Sequence, residues 1–196
     1  MDKRTLVLAS TSAYRRELLA RLKWPFEVVA PSVDESPRVG ERPADTALRL
    51  SEAKARAVGR SRANALVIGS DQVADCDGVA VSKPVDADDA VRLLAALSGR
   101  TIVFHTGVAL LDTTTGDAQL ACVDVASTFR TLTRAQIDAY LEREQPYDCA
   151  GAVKSEALGI ALFERIASDD PTALIGLPLI ALTGMLRNVG IDVLAP

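Results

Sequence analysis

The chain has 196 residues, 48% of them hydrophobic and 24% charged, with a net charge of −4. That composition excludes an intrinsically disordered polypeptide and permits a sizeable core, as one domain or two small lobes. It also excludes a global basic field that would recruit nucleic acid, and 4% aromatic residues leave few stacking platforms for single strands. Cys76, Cys122 and Cys149 are odd in number and lack CxxC spacing, which reads as a reduced, cytosolic protein. The charges at Asp2, Lys3 and Arg4 precede an apolar run too short for a signal peptide. No stretch approaches the ~20 apolar residues needed to cross a bilayer, so no membrane partner is expected.

In chain order, Leu6–Ala9 reads as a buried strand, followed by a helix near 13–23 with Ser12 as N-cap and Leu18, Leu19 and Leu22 as its buried stripe. Pro25 ends that helix, and Phe26–Val29 reads as a strand with a polar continuation through Glu35. A loop holding Pro37, Gly40 and Pro43 leads to a helix near 44–59, with Leu48, Leu50, Ala53, Ala57 and Val58 as its apolar side. The strand at 65–69 is expected to end in an acidic loop, Ser70-Asp71-Gln72. Asp77-Gly78 signals a tight turn, and Asp86 caps a helix near 87–98. Thr101–Leu111 and Ala118–Arg130 form a long hairpin. Thr133 and Gln136 form a capping box for a helix ending near Glu144. A small-residue loop spans 151–159, a strand is expected at 160–163, and Pro178 fits the first turn of a last helix through Arg187. The expected class is α/β, a mixed twisted sheet with flanking helices in two lobes around a central cleft.

Two regions point to chemistry. A carboxylate just past a buried strand lies where open α/β sheets bind ligands, which draws attention to Asp71. It reads either as a turn residue or as a metal ligand or general base. The stretch Ser10-Thr11-Ser12 followed by Arg15-Arg16 joins hydroxyls, helix N–H groups and guanidiniums, a combination suited to phosphate. Asp34 and Glu35 read as solvated acids, or as further metal ligands if the strand order brings them beside Asp71. Lys54 and Lys83 read as exposed lysines or as point charges for a polyphosphate. His105, the only histidine, reads as a solvent-facing strand residue or a satisfied core group. The chain lacks a P-loop, a GxGxxG and a G-x-S-x-G elbow. Together these features suggest a phosphate-ester enzyme.

The ordered set Leu8-Ala9-Ser10-Thr11-Ser12, Arg15-Arg16, Val33-Asp34-Glu35, Lys54-Ala55, Gly69-Ser70-Asp71-Gln72, Lys83-Pro84, Leu97-Ser98-Gly99 and Gly176-Leu177-Pro178 resembles the Maf family over nearly the whole chain. The resemblance implies one domain over residues 1–196 with a Maf/ITPase-like fold. It further implies a nucleoside triphosphate pyrophosphatase that cleaves between the α- and β-phosphates with a divalent metal such as Mg²⁺ or Mn²⁺. Asp71 would be proton acceptor and, with Glu35, metal ligand. Ser10, Arg15, Lys54 and Lys83 would bind phosphates.

Tyr14, Gln72 and Glu156 stand at specificity positions and are similar to the subgroup that hydrolyses 7-methyl-GTP. An aromatic face suits the cationic methylated guanine, and a carboxylate suits its N1–H and amine. Ala13, Ala53, Ser82 and Ala157 depart from the family pattern without removing a proposed catalytic group. The resemblance also implies a cytoplasmic homodimer acting on a small-molecule nucleotide. The alternatives are a dTTP/UTP or other modified-nucleotide pyrophosphatase, and a non-catalytic nucleotide-binding regulator of cell division.

Overall fold

β1 (Thr5–Ala9) is buried from its second residue onward, and it sits inside the sheet between two parallel neighbours, β2 (Glu27–Val29) and β3 (Ala65–Cys76). A computed structural model describes residues 4–147 and 149–195, so the charges at Asp2 and Lys3 lie outside the described residues. Beyond β3 the pairing turns antiparallel, through β5 (Thr101–Asp112), β6 (Ala118–Phe129) and β7 (Phe163–Ala167). The sheet order is β2-β1-β3-β5-β6-β7, with the short β4 (Val79–Val81) paired to the far end of β3. The tight turn at Asp77-Gly78 joins β3 and β4, both residues having positive φ as a type I′ turn requires.

Strand alternation assigns the two faces. Val7, Val67 and Ala109 face α2 (Pro43–Gly59), where they meet Ala55 and Val58. Leu6, Leu8, Ile68, Val108 and Leu110 face the other way, onto α1 (Ala13–Ala20) and α5 (Leu179–Asn188). Farther along that second face, Phe104, Ile102, Val125 and Phe129 pack on α3 (Ala87–Leu97) and α4 (Arg134–Glu144). The long strands thus carry two separate cores at their opposite ends, which are the two lobes. The caps behave as their residues dictate: Ser12 and Asp86 each accept from the backbone N–H three residues on, and Thr133 and Gln136 complete a capping box.

Several boundaries differ from the sequence reading. β3 does not stop at Gly69. β1 ends opposite Gly69, but β5 goes on pairing with Ser70 through Asp75, so the backbone of the polar stretch keeps its ladder. Asp71 is therefore an interior strand residue, and it is β1 whose carboxyl end opens the space in front of it. The polar continuation of β2 also fails, since the strand closes at Val29 and Glu35 lies in a loop. The strand expected at 160–163 is instead a 3₁₀ turn over Leu158–Leu162. Ala157 and Ile160 each donate to a carbonyl three residues back, and extension begins only at Phe163. On α2 the buried face runs through Ala47, Leu50, Ser51, Lys54, Ala55 and Val58, so Leu48, Ala53 and Ala57 are not its centre.

Two features fix the ground under the site. Gly69 and Gly107 let α2 lie directly on the sheet: a Cβ on Gly69 would sit 2.0 Å from the Ser51 carbonyl oxygen, and one on Gly107 2.5 Å from that of Ala47. On the opposite face the loop before α5 is held by Asp170, which is 2% exposed. Its Oδ1 accepts from the Thr172 N–H at 2.9 Å and hydroxyl at 2.6 Å, and its Oδ2 from the Ile180 N–H at 2.7 Å. Thr172 Oγ1 in turn accepts from the Leu179 N–H at 2.9 Å.

Overpacking against backbone costs roughly 1–3 kcal/mol or more, so Gly69→Ala is expected to destabilise the fold by about 3 kcal/mol in urea denaturation. Gly184, in α5 with open space around it, is the control. Gly184→Ala should stabilise by up to about 1 kcal/mol. Asp170→Ala strands buried donors at about 1–3 kcal/mol each, and Asp170→Asn, which keeps one acceptor oxygen, should lose less in the same measurement.

Candidate active site

A cavity of about 1140 Å³ opens where β1 ends and β3 continues. It is lined by residues from the β1–α1 turn, the loop after β2, α2, β3, the β4–α3 connection, and the loops at 149–156 and 174–176. Nine of the residues singled out in the sequence border it: Ser10, Tyr14, Arg15, Glu35, Lys54, Asp71, Gln72, Lys83 and Glu156. Arg16 and Asp34 do not.

At its centre is Lys54. Its ammonium lies 2.6 Å from Asp71 Oδ1 and 2.9 Å from Glu35 Oε1. Lys54 and Asp71 are buried, while the Glu35 side chain is 60% exposed. The strand order does not bring Glu35 here, because β1 separates β2 from β3. The loop after β2 does so by passing over the end of β1. That loop is clamped to α2 by Arg49, whose Nε and Nη2 donate to Glu41 at 2.5 and 2.6 Å and which also reaches the Ser36 carbonyl. Arg49 pulls the Glu41 carboxyl down to about 2, aided by the Thr46 hydroxyl and the Arg38 N–H, against the cost of desolvation.

Asp71 and Gln72 are adjacent and so point to opposite faces of β3. Asp71 faces α2, where its N–H donates to Ser51 Oγ at 2.9 Å. Gln72 faces the 170s loop, its amide nitrogen donating to Thr106 Oγ1, the Ala173 carbonyl and the Leu174 carbonyl at 2.9–3.1 Å. Ser70, on Gln72's side, donates to the carbonyls of Gly107 and Gly176. Arg15 Nε donates to the same Gly176 oxygen at 2.8 Å. Gly176 has φ +120°, a backbone conformation open to glycine, and this aims its carbonyl at both donors. Desolvation lowers the Arg15 pKa from its ordinary value, and the charges of Asp71 and Glu35 oppose that shift. The guanidinium remains a fixed cation beside the two acids.

Ser10 Oγ accepts from the Ser12 N–H at 3.1 Å, which leaves its hydroxyl hydrogen to donate elsewhere. Tyr14 is half-buried, and Lys83 and Glu156 are exposed around the rim. The cavity thus presents hydroxyl, guanidinium and ammonium donors beside two carboxylates within reach of one ammonium. Such a set can hold a polyphosphate, and its hard oxygens suit a small divalent cation. Sequence reasoning missed Ser51, Glu41, Arg49 and Asp170, none of which carries a local motif, and gave Ser70 no role of its own although it stands in the motif Gly69-Ser70-Asp71-Gln72. His105 is the satisfied strand residue, held between Asp75 and Asp124.

The chain is 58% identical to a protein from Cupriavidus metallidurans, covering 94% of this chain and 93% of that one. It is 59% identical to one from Thiobacillus denitrificans, covering 97% and 94% respectively. A protein from Bordetella pertussis is 55% identical, covering 95% of this chain and 93% of its own. Each of the three bears the name 7-methyl-GTP pyrophosphatase. Among solved structures, a HAM1 protein from Coxiella burnetii shares 17% identity with a TM-score of 0.45, over 65% of this chain and 73% of its own. The family described as Maf-like protein matches residues 5–189, which takes in every element from β1 to α5, and the chain belongs to that family.

Proposed function

We propose that the chain is a single-domain nucleoside triphosphate pyrophosphatase that hydrolyses 7-methyl-GTP to 7-methyl-GMP and diphosphate. The observation that carries the reading is the meeting of Asp71 and Glu35 on the buried Lys54 ammonium, in a cavity also lined by Ser10, Arg15 and Lys83. The names of the relatives give the substrate.

In this reading a water attacks the α-phosphorus, the α–β anhydride bond breaks, and the electron pair leaves with diphosphate. Asp71 accepts the water's proton. Arg15, whose Nε is committed to Gly176, offers its terminal nitrogens to phosphate oxygens in a planar fork. Ser10 donates its hydroxyl, and Lys54 and Lys83 offset charge as it moves onto the leaving group. Glu35 and Asp71 are the residues that would hold a divalent cation such as Mg²⁺ or Mn²⁺. When bound, the cation would neutralise phosphate charge and favour attack. Tyr14 would receive the cationic face of the methylated base, and Glu156 would accept from its N1–H and amine. Gln72, held to the 170s loop, would shape the base pocket.

The same reading makes the protein a cytoplasmic homodimer. Three cysteines, an odd number without CxxC spacing, accord with a reducing compartment, and no described helix is long and apolar enough to cross a membrane. Sedimentation equilibrium tests the dimer.

Asp71→Asn is expected to lower kcat/KM for 7-methyl-GTP by about 10²–10⁴-fold with an unchanged circular dichroism spectrum. Full activity in that variant removes Asp71 from its role. Tyr14→Leu is expected to raise KM for 7-methyl-GTP about fivefold, the size of one cation–π contact, and to leave that for GTP within about twofold. A substrate panel in which dTTP or UTP exceeds 7-methyl-GTP in kcat/KM would overturn the substrate assignment. Tight nucleotide binding without diphosphate release would favour the regulator.

A further inference from the structure

A second group of metal-binding side chains lies on the same face of the sheet as Asp71, outside the cavity. His105 on β5 stands directly opposite Asp124 on β6, and Cys122 is two residues along from Asp124, facing the same way. His105 Nδ1 and Asp124 Oδ1 are 2.7 Å apart, and Cys122 Sγ is 3.9 Å from the same oxygen. One ligand atom from each of the three lies within 4.8 Å of the others. None of the three lines the nucleotide cavity. Asp71 and Cys122 both pair across to Gly107, one from each side, and α2 rests on that glycine between them.

The other ring nitrogen of His105 also meets a carboxylate. Nε2 lies 3.3 Å from Asp75 Oδ2, from the neighbouring strand β3. A carboxylate behind one imidazole nitrogen is an arrangement that recurs at histidines whose other nitrogen binds metal. Here that nitrogen is Nδ1, and it points at Asp124. His105 is buried, Cys122 is half-buried and the Asp124 side chain is 63% exposed, so the cluster has a rigid base and a solvent-facing side. An imidazole, a thiol and a carboxylate form a mixed N/S/O donor set. Hard Mg²⁺ avoids such a set, whereas Zn²⁺ and Co²⁺ take it readily with water in a fourth position.

We propose that His105 Nδ1, Cys122 Sγ and Asp124 Oδ1 form a site for one borderline-soft divalent cation of the Zn²⁺ class, separate from the nucleotide cavity and oriented by Asp75. On binding, the Cys122 thiol gives its proton to solvent and coordinates as thiolate. Without such an ion, His105 is simply an imidazole bridging two carboxylates.

The test uses the full chain stripped with chelator and titrated with Co²⁺, read by thiolate-to-cobalt absorption. The expected result is one equivalent of Co²⁺ giving that band and being displaced by Zn²⁺. In Cys122→Ser the band should disappear, and in His105→Gln Co²⁺ affinity should fall at least tenfold. Cys76→Ser and Cys149→Ser should keep both band and stoichiometry. Absence of the band, or its persistence in Cys122→Ser, would overturn the proposal. Cys122 is partly exposed, so its serine variant keeps the test open even if His105→Gln fails to fold. Neither readout depends on nucleotide hydrolysis.

Discussion

Lys54 brings its ammonium into a place almost closed to water, with 6% of its side chain exposed, and two carboxylates from distant parts of the chain meet on it. A buried charge is costly by several kcal/mol unless it is paired, so Lys54 and Asp71 each depend on the other being present. The contact with Glu35 is different. That side chain is largely solvated, and an ion pair of this kind adds little to stability. Lys54–Asp71 is therefore the fixed part of the site, and Lys54–Glu35 is a tether for the loop above it. The charges are in position before a ligand arrives, which is the condition under which electrostatic stabilisation costs no reorganisation during reaction.

The sheet makes that arrangement affordable. β1 stops opposite Gly69 while β3 runs on against β5, so a concave space opens in front of a strand that stays paired along its β5 edge. Two adjacent side chains then serve opposite walls: Asp71 reaches the α2 side and Gln72 the 170s loop. Each wall has its own support. On one side Ser51 takes the Asp71 N–H, and the glycine contacts let α2 lie close. On the other, Asp170 fixes the loop whose carbonyls receive Gln72, Ser70 and Arg15.

Local chemistry made much of the fold legible in the sequence. Ser12, Asp86 and the Thr133–Gln136 pair mark helix starts by satisfying named N–H groups, and Asp77-Gly78 marks a turn that needs positive φ. The extent of β3 was not legible. Ser70-Asp71-Gln72 has the composition of a turn, and only pairing with β5 keeps it extended. The buried face of α2 was misplaced for a related reason: Ser51 and Lys54 occupy core positions that a hydrophobicity pattern assigns to the surface. Local pattern left the role of Glu35 open because a loop, not a strand neighbour, delivers it. The membership of the cavity was legible through the ordered motifs, whereas the supporting residues Arg49, Glu41 and Asp170 act through contacts that no short motif encodes.

The central claim is that this cavity directs water at the α-phosphorus of a nucleoside triphosphate. Hydrolysis of 7-methyl-GTP in heavy-oxygen water, followed by mass spectrometry of both products, tests it most directly. The account predicts one heavy oxygen in 7-methyl-GMP and none in diphosphate. Label in the diphosphate, or release of inorganic phosphate in its place, would contradict it.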